Sequence, residues 1–236
     1  MVTGVLVIGA VLCVAIFIVV LFFQRGHEGV DLSPSSLMRL YLYVASLAGT
    51  VLVVIGLSAL LNYGFAGAYG NDFAYGREPA ASCPGCPSIE EQQRIEALRR
   101  ERSRGEDLPR GITFVAFGTL LWGAHRLGRR FAAGPDERAS VLRRGYHILG
   151  TGIFGLAAVV ALPTGVYQTL ASALVAAPPE VYRGAAGEPL AGGLVALPFW
   201  LRYLWLASRD FRAAGSASAG PAARGPLPRA PAPRPM

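Results

Sequence analysis

Three long stretches without a charged residue constrain the fold of this chain more than any other feature. They cover residues 1–24, 40–71 and 145–179 of a 236-residue sequence. About 20 consecutive apolar residues are enough for a helix to cross the hydrocarbon core of a bilayer. Only 16% of the residues are charged and 53% are hydrophobic, whereas about a quarter of a soluble domain is charged. The composition therefore excludes a soluble enzyme, a disordered protein and a small disulfide-stapled domain.

These runs predict an all-α integral membrane protein, because lipid-exposed segments must satisfy their backbone hydrogen bonds internally. The alternating ten-residue strands of a membrane β-barrel do not occur in them. The first predicted helix has neither basic residues before it nor a small-residue cleavage site after it, so we expect it to be retained. We predict about five transmembrane helices, at residues 5–23, 39–63, 111–127, from residue 146 onward with Pro163 inside, and 190–207.

The arginines are distributed unevenly between the two sides that these helices define. The net charge is +7, and every basic residue is an arginine. The loops 25–38 and 128–143, their bordering residues and the C-terminal tail hold thirteen arginines and five acidic residues. The loops 64–110 and 176–189 hold eight arginines and ten acidic residues. Because basic loops stay in the cytoplasm, we predict a multi-pass plasma-membrane protein with its N-terminus outside and its C-terminus cytoplasmic.

The same spans divide the chain into an N-terminal helix, two two-helix units and a tail. Residues 1–24 form the N-terminal transmembrane helix, 36–131 the first unit with its outer loop 64–110, and 138–212 the second unit. The tail 213–236 is basic and rich in proline and alanine, a composition that predicts disorder. Within the outer loop, Ser88 and Glu91 have the spacing of a capping box and predict a short solvated helix over 89–104.

Short matches between the two units predict an internal repeat. Arg39-Leu40-Tyr41 aligns with Arg144-Gly145-Tyr146, and Val115-Ala116-Phe117-Gly118 aligns with Val195-Ala196-Leu197-Pro198. Each unit consists of a strong helix, an outer loop and a weaker helix that ends in basic residues. Both units cross the membrane in the same sense, so the repeat is predicted to be parallel.

Three motifs give the chain a resemblance to a bacterial membrane family. They are the opening at residues 39–44, the junction at residues 136–146, and the aromatic pattern Gly118, Trp122 and His125 with its counterpart Pro198, Phe199 and Trp200. Over roughly residues 36–211 the chain resembles the family called domain of unknown function 5671. It departs from the family pattern in lacking a second histidine and in its cysteine loop. The resemblance implies an all-helical membrane fold and no particular reaction.

Two cysteines in the outer loop are the sharpest candidates for chemistry. Cys83 and Cys86 have a spacing that allows reversible disulfide formation, and a helix that follows would favour the Cys86 thiolate. Membrane thiol oxidoreductases generally need a second cysteine pair, and the one further cysteine is Cys13. A small loop closed by one disulfide, or two idle thiols, is therefore the favoured interpretation of the motif. Tetrahedral zinc needs four ligands, which the loop does not supply.

Two histidines near the predicted cytoplasmic end are the weaker candidates for a cofactor site, since His125 is explained more simply as an interfacial histidine next to Arg126. His125 and His147 lie on neighbouring spans, and paired imidazoles can ligate haem if they face one gap. Arg202 is the one charge well inside a predicted span and can snorkel toward the interface. No carboxylate lies inside a predicted span, which argues against an ion-coupled transporter.

We therefore predict a non-enzymatic accessory, scaffold or interaction subunit without a bound cofactor or metal. Its expected partners are the lipid bilayer and other membrane subunits or further copies of itself. Nucleic acid is not expected as a partner because no basic-aromatic platform is present. The alternatives are a membrane thiol-disulfide oxidoreductase that uses Cys83 and Cys86, and a small transporter or channel.

Overall fold

The computed structural model describes residues 34–79, 87–132, 141–175 and 182–218, and throughout these ranges the chain is helical apart from short connections. The predicted N-terminal helix and the Cys83–Cys86 motif lie outside the described residues. The helices are α1 (Pro34–Tyr69), α2 (Asn71–Tyr75), α3 (Ile89–Ala132), α4 (Val141–Leu174) and α5 (Gly187–Ser218). The all-α prediction is confirmed for this part of the chain.

Three of these helices are long and apolar enough to cross a membrane. The qualifying segments are Leu37–Tyr69 in α1, Arg143–Leu174 in α4 and Gly187–Ala213 in α5. The span predicted at residues 111–127 forms the second half of α3, which is not among the three. Its apolar run is interrupted by His125 and Arg126, so the described residues fall short of the predicted number of spans.

The four long helices pack as two antiparallel pairs, α1 with α3 and α4 with α5. Glycines bring the first pair into close contact. A Cβ built on Gly118 would lie 2.8 Å from the Gly49 carbonyl oxygen, and one built on Gly56 would lie 2.7 Å from the Val115 nitrogen. Small residues allow this approach of helix backbones in membranes. In the second pair, Gly150 lies against the Tyr203 ring.

The core lies where α1 meets the second pair. Its buried side chains are Tyr43, Leu47 and Val54 of α1, Tyr146, Leu149, Ile153 and Phe154 of α4, and Tyr203 of α5. The outer faces of the helices remain apolar and exposed: Phe117 is 65% exposed and Leu120 is 68% exposed. An exposed apolar surface around the bundle suits a lipid environment.

The two connecting segments predicted on one side of the membrane do meet at one end of the bundle. Arg77 donates its backbone N–H to the Arg183 carbonyl at 2.8 Å, and Arg183 donates to the Arg77 carbonyl at 2.9 Å. Gly76, with φ 74°, packs beneath this bridge. We call this end, with α2 and the Arg77–Arg183 bridge, the bridge end. The opposite end, where α1 begins and α3 ends, is the arginine end.

Helix α3 combines two segments that the sequence predicts as separate. It begins at Ile89, and Ser88 Oγ accepts the Glu91 N–H at 3.2 Å, as the capping box predicts. It then passes residue 104 without a break and contains Pro109. Side-chain pairs lie beside the proline: Glu106 contacts Arg102 at 2.8 Å on the preceding turn, and it contacts Arg110 at 3.6 Å across the proline. These i,i+4 pairs support the helix where one backbone hydrogen bond is lost.

Candidate functional site

A cavity of about 670 Å³ opens between the two helix pairs on the side of the arginine end. It reaches from Arg143, near the start of α4, to Val53, midway along α1. We call it the arginine cavity. All four long helices contribute to its wall, which is formed by Thr50, Val53, Thr119, Trp122, Arg126, Arg129, Arg143, Tyr146, His147, Pro198, Phe199, Arg202, Tyr203 and Leu206.

The wall of the arginine cavity is strongly cationic. It includes four arginines and neither an aspartate nor a glutamate. Arg143 has a carboxylate partner, since its Nη2 lies 3.6 Å from Asp210 Oδ1. Within the described residues, Arg126, Arg129 and Arg202 form no ion pair. Three cations without a counter-ion in a partly apolar cavity create an attractive site for an anion.

Aromatic rings and a hydroxyl hold Arg129 in place. Its guanidinium lies 4.8 Å from the centre of the Tyr43 ring and 5.0 Å from that of Tyr146. Its Nη2 donates to Ser46 Oγ at 3.2 Å, whereas its buried Nε has no partner. Cation–π contacts position an arginine without neutralising it. Arg129 therefore keeps its charge, and the donors that Ser46 does not use, for a ligand.

A second arginine on α3 is positioned in the same manner. Arg126 lies one turn from Arg129, and its guanidinium is 5.1 Å from the centre of the Trp122 ring. Helical spacing of three residues puts both guanidinium groups on neighbouring sides of α3. The indole of Trp122 also belongs to the cavity wall, so a bound molecule would meet an apolar surface beside the charge.

A hydrogen-bonded pair links α4 and α5 beside the cavity. His147 Nδ1 lies 2.6 Å from Asp210 Oδ2, and Asp210 also faces Arg143. Since Arg143 and His147 are four residues apart on α4, one carboxylate from α5 reaches both. Asp210 lies beyond residue 207, where the sequence predicts the fifth span to end, but α5 continues to Ser218.

The floor of the cavity is tyrosine-rich and fixed by a hydroxyl pair. The hydroxyls of Tyr146 and Tyr203 lie 2.7 Å apart, and both residues are almost fully buried. Thr50 Oγ1 donates to the Ser46 carbonyl at 3.0 Å, which satisfies its hydroxyl within α1. The floor therefore presents packed side chains, and the arginines of the same wall supply the charge for a ligand.

The two predicted haem ligands do not contact each other in the described residues. His125 uses both ring nitrogens elsewhere, 2.7 Å from the Leu121 carbonyl and 3.1 Å from the Tyr41 hydroxyl. Only His147 lies on the cavity wall, where Asp210 occupies its Nδ1. Haem ligation through His125 Nε2 would require its contact with the Tyr41 hydroxyl to break. The haem prediction therefore gains no supporting contact here.

The cysteine prediction concerns residues that the structure does not describe. Cys83 and Cys86 both lie within the gap between residues 79 and 87. In the described ranges no group of three or more histidine, cysteine, aspartate or glutamate side chains could hold a metal ion. The redox pair thus stays a prediction.

Sequence reasoning identified His147 and Arg202 but missed the site that they share. Arg126, Arg129 and Arg143 count as loop-bordering charges when only span ends are considered. The available signal was their periodicity, because Arg126 with Arg129 and Arg143 with His147 each occupy adjacent positions on a helix face. The partner Asp210 could not be found in this way, since its role depends on how α5 packs on α4.

Comparison with known proteins gives one match. Residues 92–201 match the family described as Domain of unknown function (DUF5671). The matched region covers most of α3, all of α4 and half of α5, including three of the four cavity arginines. No curated protein and no solved structure matches the chain. The family resemblance predicted from the sequence is thus confirmed over residues 92–201.

Proposed function

We propose that this protein is a non-enzymatic integral membrane protein of the accessory or interaction type, and that its arginine cavity binds the anionic headgroup of a phospholipid. One observation carries the proposal: four arginines line a cavity between apolar helices, and no carboxylate lies in its wall. Basic pockets between membrane helices on the cytoplasmic side are suited to anionic headgroups.

The charge balance of the cavity supports an anionic ligand. Arg126, Arg129 and Arg202 lack a carboxylate partner within the described part of the chain, and unpaired cations in the wall of a partly apolar cavity attract an anion. A phosphate group accepts several charge-assisted hydrogen bonds and matches the planar donor fork of arginine. A headgroup would supply the missing counter-charge.

The apolar part of the wall favours a lipid over a soluble anion. Pro198, Phe199 and Leu206 line the cavity together with Trp122, so one side of a ligand would contact carbon. The helices that bound the cavity expose apolar faces, including Leu201 at 52% and Leu204 at 43%. A molecule with a charged head and an apolar tail fits both surfaces.

The topology prediction agrees with this proposal, because it puts the arginine end on the cytoplasmic side of the plasma membrane. Anionic lipids give the cytoplasmic leaflet its negative surface potential. A reporter fused after Arg104 should report an external location, and one fused after Phe211 a cytoplasmic location. A cytoplasmic signal after Arg104 would reverse the proposed orientation.

The binding proposal is tested with the full chain in nanodiscs that contain phosphatidylcholine alone or with phosphatidylglycerol. We expect phosphatidylglycerol to raise the melting temperature by about 3 °C, because a ligand of the native state stabilises it by mass action. Inorganic phosphate in phosphatidylcholine nanodiscs forms a separate arm. Stabilisation by phosphate but not by phosphatidylglycerol would identify a soluble anion as the ligand.

Matched variants separate the cavity from general surface charge. The double variant Arg129→Gln with Arg202→Gln should lose the lipid-dependent shift. The control is Arg130→Gln, because Arg130 adjoins Arg129 in sequence but lies outside the cavity wall. Equal loss of the shift in both variants would show that the cavity is not the binding site.

A small transporter is the second candidate, and one observation favours it. Four polar residues of α1, Ser46, Thr50, Ser58 and Asn62, follow a four-residue repeat that only Val54 interrupts. The arginine cavity contains Thr50, and a smaller cavity at the bridge end contains Ser58 and Asn62. A transporter should carry a labelled anion into proteoliposomes, whereas a binding protein should not.

A further inference from the structure

The arginine cavity is long enough to present charge to a ligand at two depths. Its wall takes residues 119–129 from α3 and residues 198–206 from α5. At the rise of an α-helix, these stretches are about 15 Å and about 12 Å long. A ligand can therefore contact the wall at more than one level along the helix axes, and the contacts of each arginine show to which level it belongs.

The first level lies toward the arginine end and contains Arg129 and Arg143. The Arg129 guanidinium lies 4.8 Å from the centre of the Tyr43 ring and 5.0 Å from that of Tyr146. Arg143 precedes Tyr146 by three residues on α4, which puts it less than one turn away. Its Nη2 lies 3.6 Å from Asp210 Oδ1. At this level two arginines therefore share one carboxylate.

Arg126 belongs to a second level, deeper in the bundle. Its guanidinium lies 5.1 Å from the centre of the Trp122 ring, one turn closer to the middle of α3. The Trp122 backbone meets Gly49 of α1, because a Cβ built on Gly49 would lie 2.6 Å from the Trp122 nitrogen. Gly49 follows Tyr43 of the first level by six residues, so the second level is about 9 Å deeper along α1.

Arg202 lies at the second level too, on the opposite wall. Two contacts of α5 with α4 bracket it: the Tyr203 ring packs against Gly150, and the Trp200 indole packs against Gly155. These glycines follow the α4 tyrosine of the first level by four and nine residues, or about 6 Å and about 14 Å. Neither arginine of the second level has an ion pair within the described ranges. Two cations thus face this depth without a carboxylate.

We propose, on the basis of the lipid-binding function proposed above, that the ligand carries two phosphate groups joined by a short linker, one phosphate at each level. Lipids of the cardiolipin class, in which glycerol links two phosphodiesters, have this chemistry. Each phosphate would meet one arginine of α3 and one of the second helix pair, Arg129 with Arg143 and Arg126 with Arg202.

A single phosphate group does not match this distribution of charge. Charge-assisted hydrogen bonds to phosphate are about 2.7–2.9 Å long, so a phosphate at one level leaves the arginines of the other level without a counter-charge. The wall has four arginines, and the adjacent Asp210 supplies one negative charge. Two phosphodiesters compensate two of the remaining three positive charges, whereas phosphatidylglycerol compensates one.

The test is native mass spectrometry of the full chain released from phosphatidylcholine nanodiscs that contain equal amounts of phosphatidylglycerol, phosphatidate and cardiolipin. Phosphatidate is the critical comparison, because a phosphomonoester carries a charge of about −1.5 to −2 on one phosphate. We expect cardiolipin to be retained about tenfold in preference to either of the other anionic lipids. Equal retention of cardiolipin and phosphatidate would overturn the inference, since total charge would then determine binding.

The same experiment separates this inference from the proposed function. Retention of phosphatidylglycerol over phosphatidylcholine without a preference for cardiolipin would overturn the two-phosphate inference and leave the proposed function standing. Equal retention of all four lipids would overturn both.

A variant of the second level tests where the second phosphate binds. Arg202→Gln should abolish the preference for cardiolipin over phosphatidylglycerol but keep the preference for phosphatidylglycerol over phosphatidylcholine, because the first level is intact. The acyl chains are unchanged in this comparison, so the loss reports a phosphate contact. Should Arg202→Gln not fold, the wild-type comparison of cardiolipin with phosphatidate decides the question alone.

Arg209→Gln is the matched control on the same helix. Arg209 lies outside the cavity wall, and its guanidinium is 5.8 Å from the centre of the Trp205 ring. This variant should retain cardiolipin in preference to phosphatidylglycerol as strongly as the wild type does. An equal loss of that preference in Arg202→Gln and Arg209→Gln, or no loss in Arg202→Gln, would overturn the inference.

Discussion

At the scale of single residues, the two cavities compensate buried charge differently. Arg129 is held by the rings of Tyr43 and Tyr146 and so remains uncompensated by a carboxylate. In the smaller cavity at the bridge end, Asp107 accepts hydrogen bonds from Asn62 and Tyr75 and pairs with Arg110, so these groups compensate its negative charge. Cation–π contacts leave a cation available to a ligand, whereas hydrogen bonds to a carboxylate consume its acceptors.

Tyr75 gives a pH-dependent prediction. Burial and the hydrogen bond to Asp107 raise its pKa in the folded chain, so its contribution to stability is present below the ordinary tyrosine pKa of 10.0 and is lost as the pH rises above that value. The wild type should lose stability above pH 10 more steeply than Tyr75→Phe. Denaturant unfolding between about pH 8 and about pH 11 measures the difference.

Tyr69→Phe is the control for this measurement, because Tyr69 is 68% exposed. Its stability profile should match that of the wild type. At neutral pH, Tyr75→Phe should cost about 1 kcal/mol, as expected when a buried acceptor loses one donor. Parallel pH profiles for wild type and Tyr75→Phe would show that the Tyr75–Asp107 hydrogen bond is not formed.

At the scale of helices, close packing of glycines defines the α1–α3 pair. Gly49 and Gly56 of α1 face Gly118 and Gly111 of α3 at a spacing of seven residues in each helix. Two turns of an α-helix take about seven residues, so both glycines of a helix lie on one face. The close contact between α1 and α3 therefore requires glycine at these four positions, because a side chain at any of them would push the helices apart.

Gly118→Ala tests this packing. The added Cβ would lie 2.8 Å from both the Gly49 oxygen and the Val53 nitrogen, so the helices must separate. We expect a loss of about 1–3 kcal/mol in the free energy of unfolding, as for overpacked cores. Gly123→Ala is the matched control on the same helix, because a Cβ at that position would have nothing within 4 Å. Equal effects of the two substitutions would contradict the close approach.

The sequence predicts α1, α4 and α5 well and α3 only in part. Uninterrupted apolar runs are a strong signal for α1 and α4, since each exceeds the length needed to cross a bilayer. In α3 the charged residues before Arg110 and the proline at 109 predict two separate segments, whereas the helix is continuous. Contacts such as Arg100 with Asp72, 2.7 Å apart, link its first half to α2. Such a contact cannot be derived from helix periodicity alone.

At the scale of the whole molecule, the unequal distribution of arginine has two consequences. The excess of arginine on one side predicts topology, and Arg126, Arg129, Arg143 and Arg202 of the same chain also line the cavity. Counting charges by loop predicts the first consequence but not the second, because the cavity forms only when the two helix pairs pack. The predicted fifth span, 190–207, contains no carboxylate. The apolar segment of α5 is longer, Gly187–Ala213, and includes Asp210.

The central claim is that the arginine cavity holds an anionic phospholipid, and the most direct measurement is native mass spectrometry of the full chain released from mixed-lipid nanodiscs. The wild type and Arg130→Gln should retain phosphatidylglycerol in preference to phosphatidylcholine. The Arg129→Gln and Arg202→Gln double variant should show at least a tenfold weaker preference, which corresponds to about 1.4 kcal/mol. Retention of the two lipids in equal amounts by the wild type, or an unchanged preference in the double variant, would contradict the account.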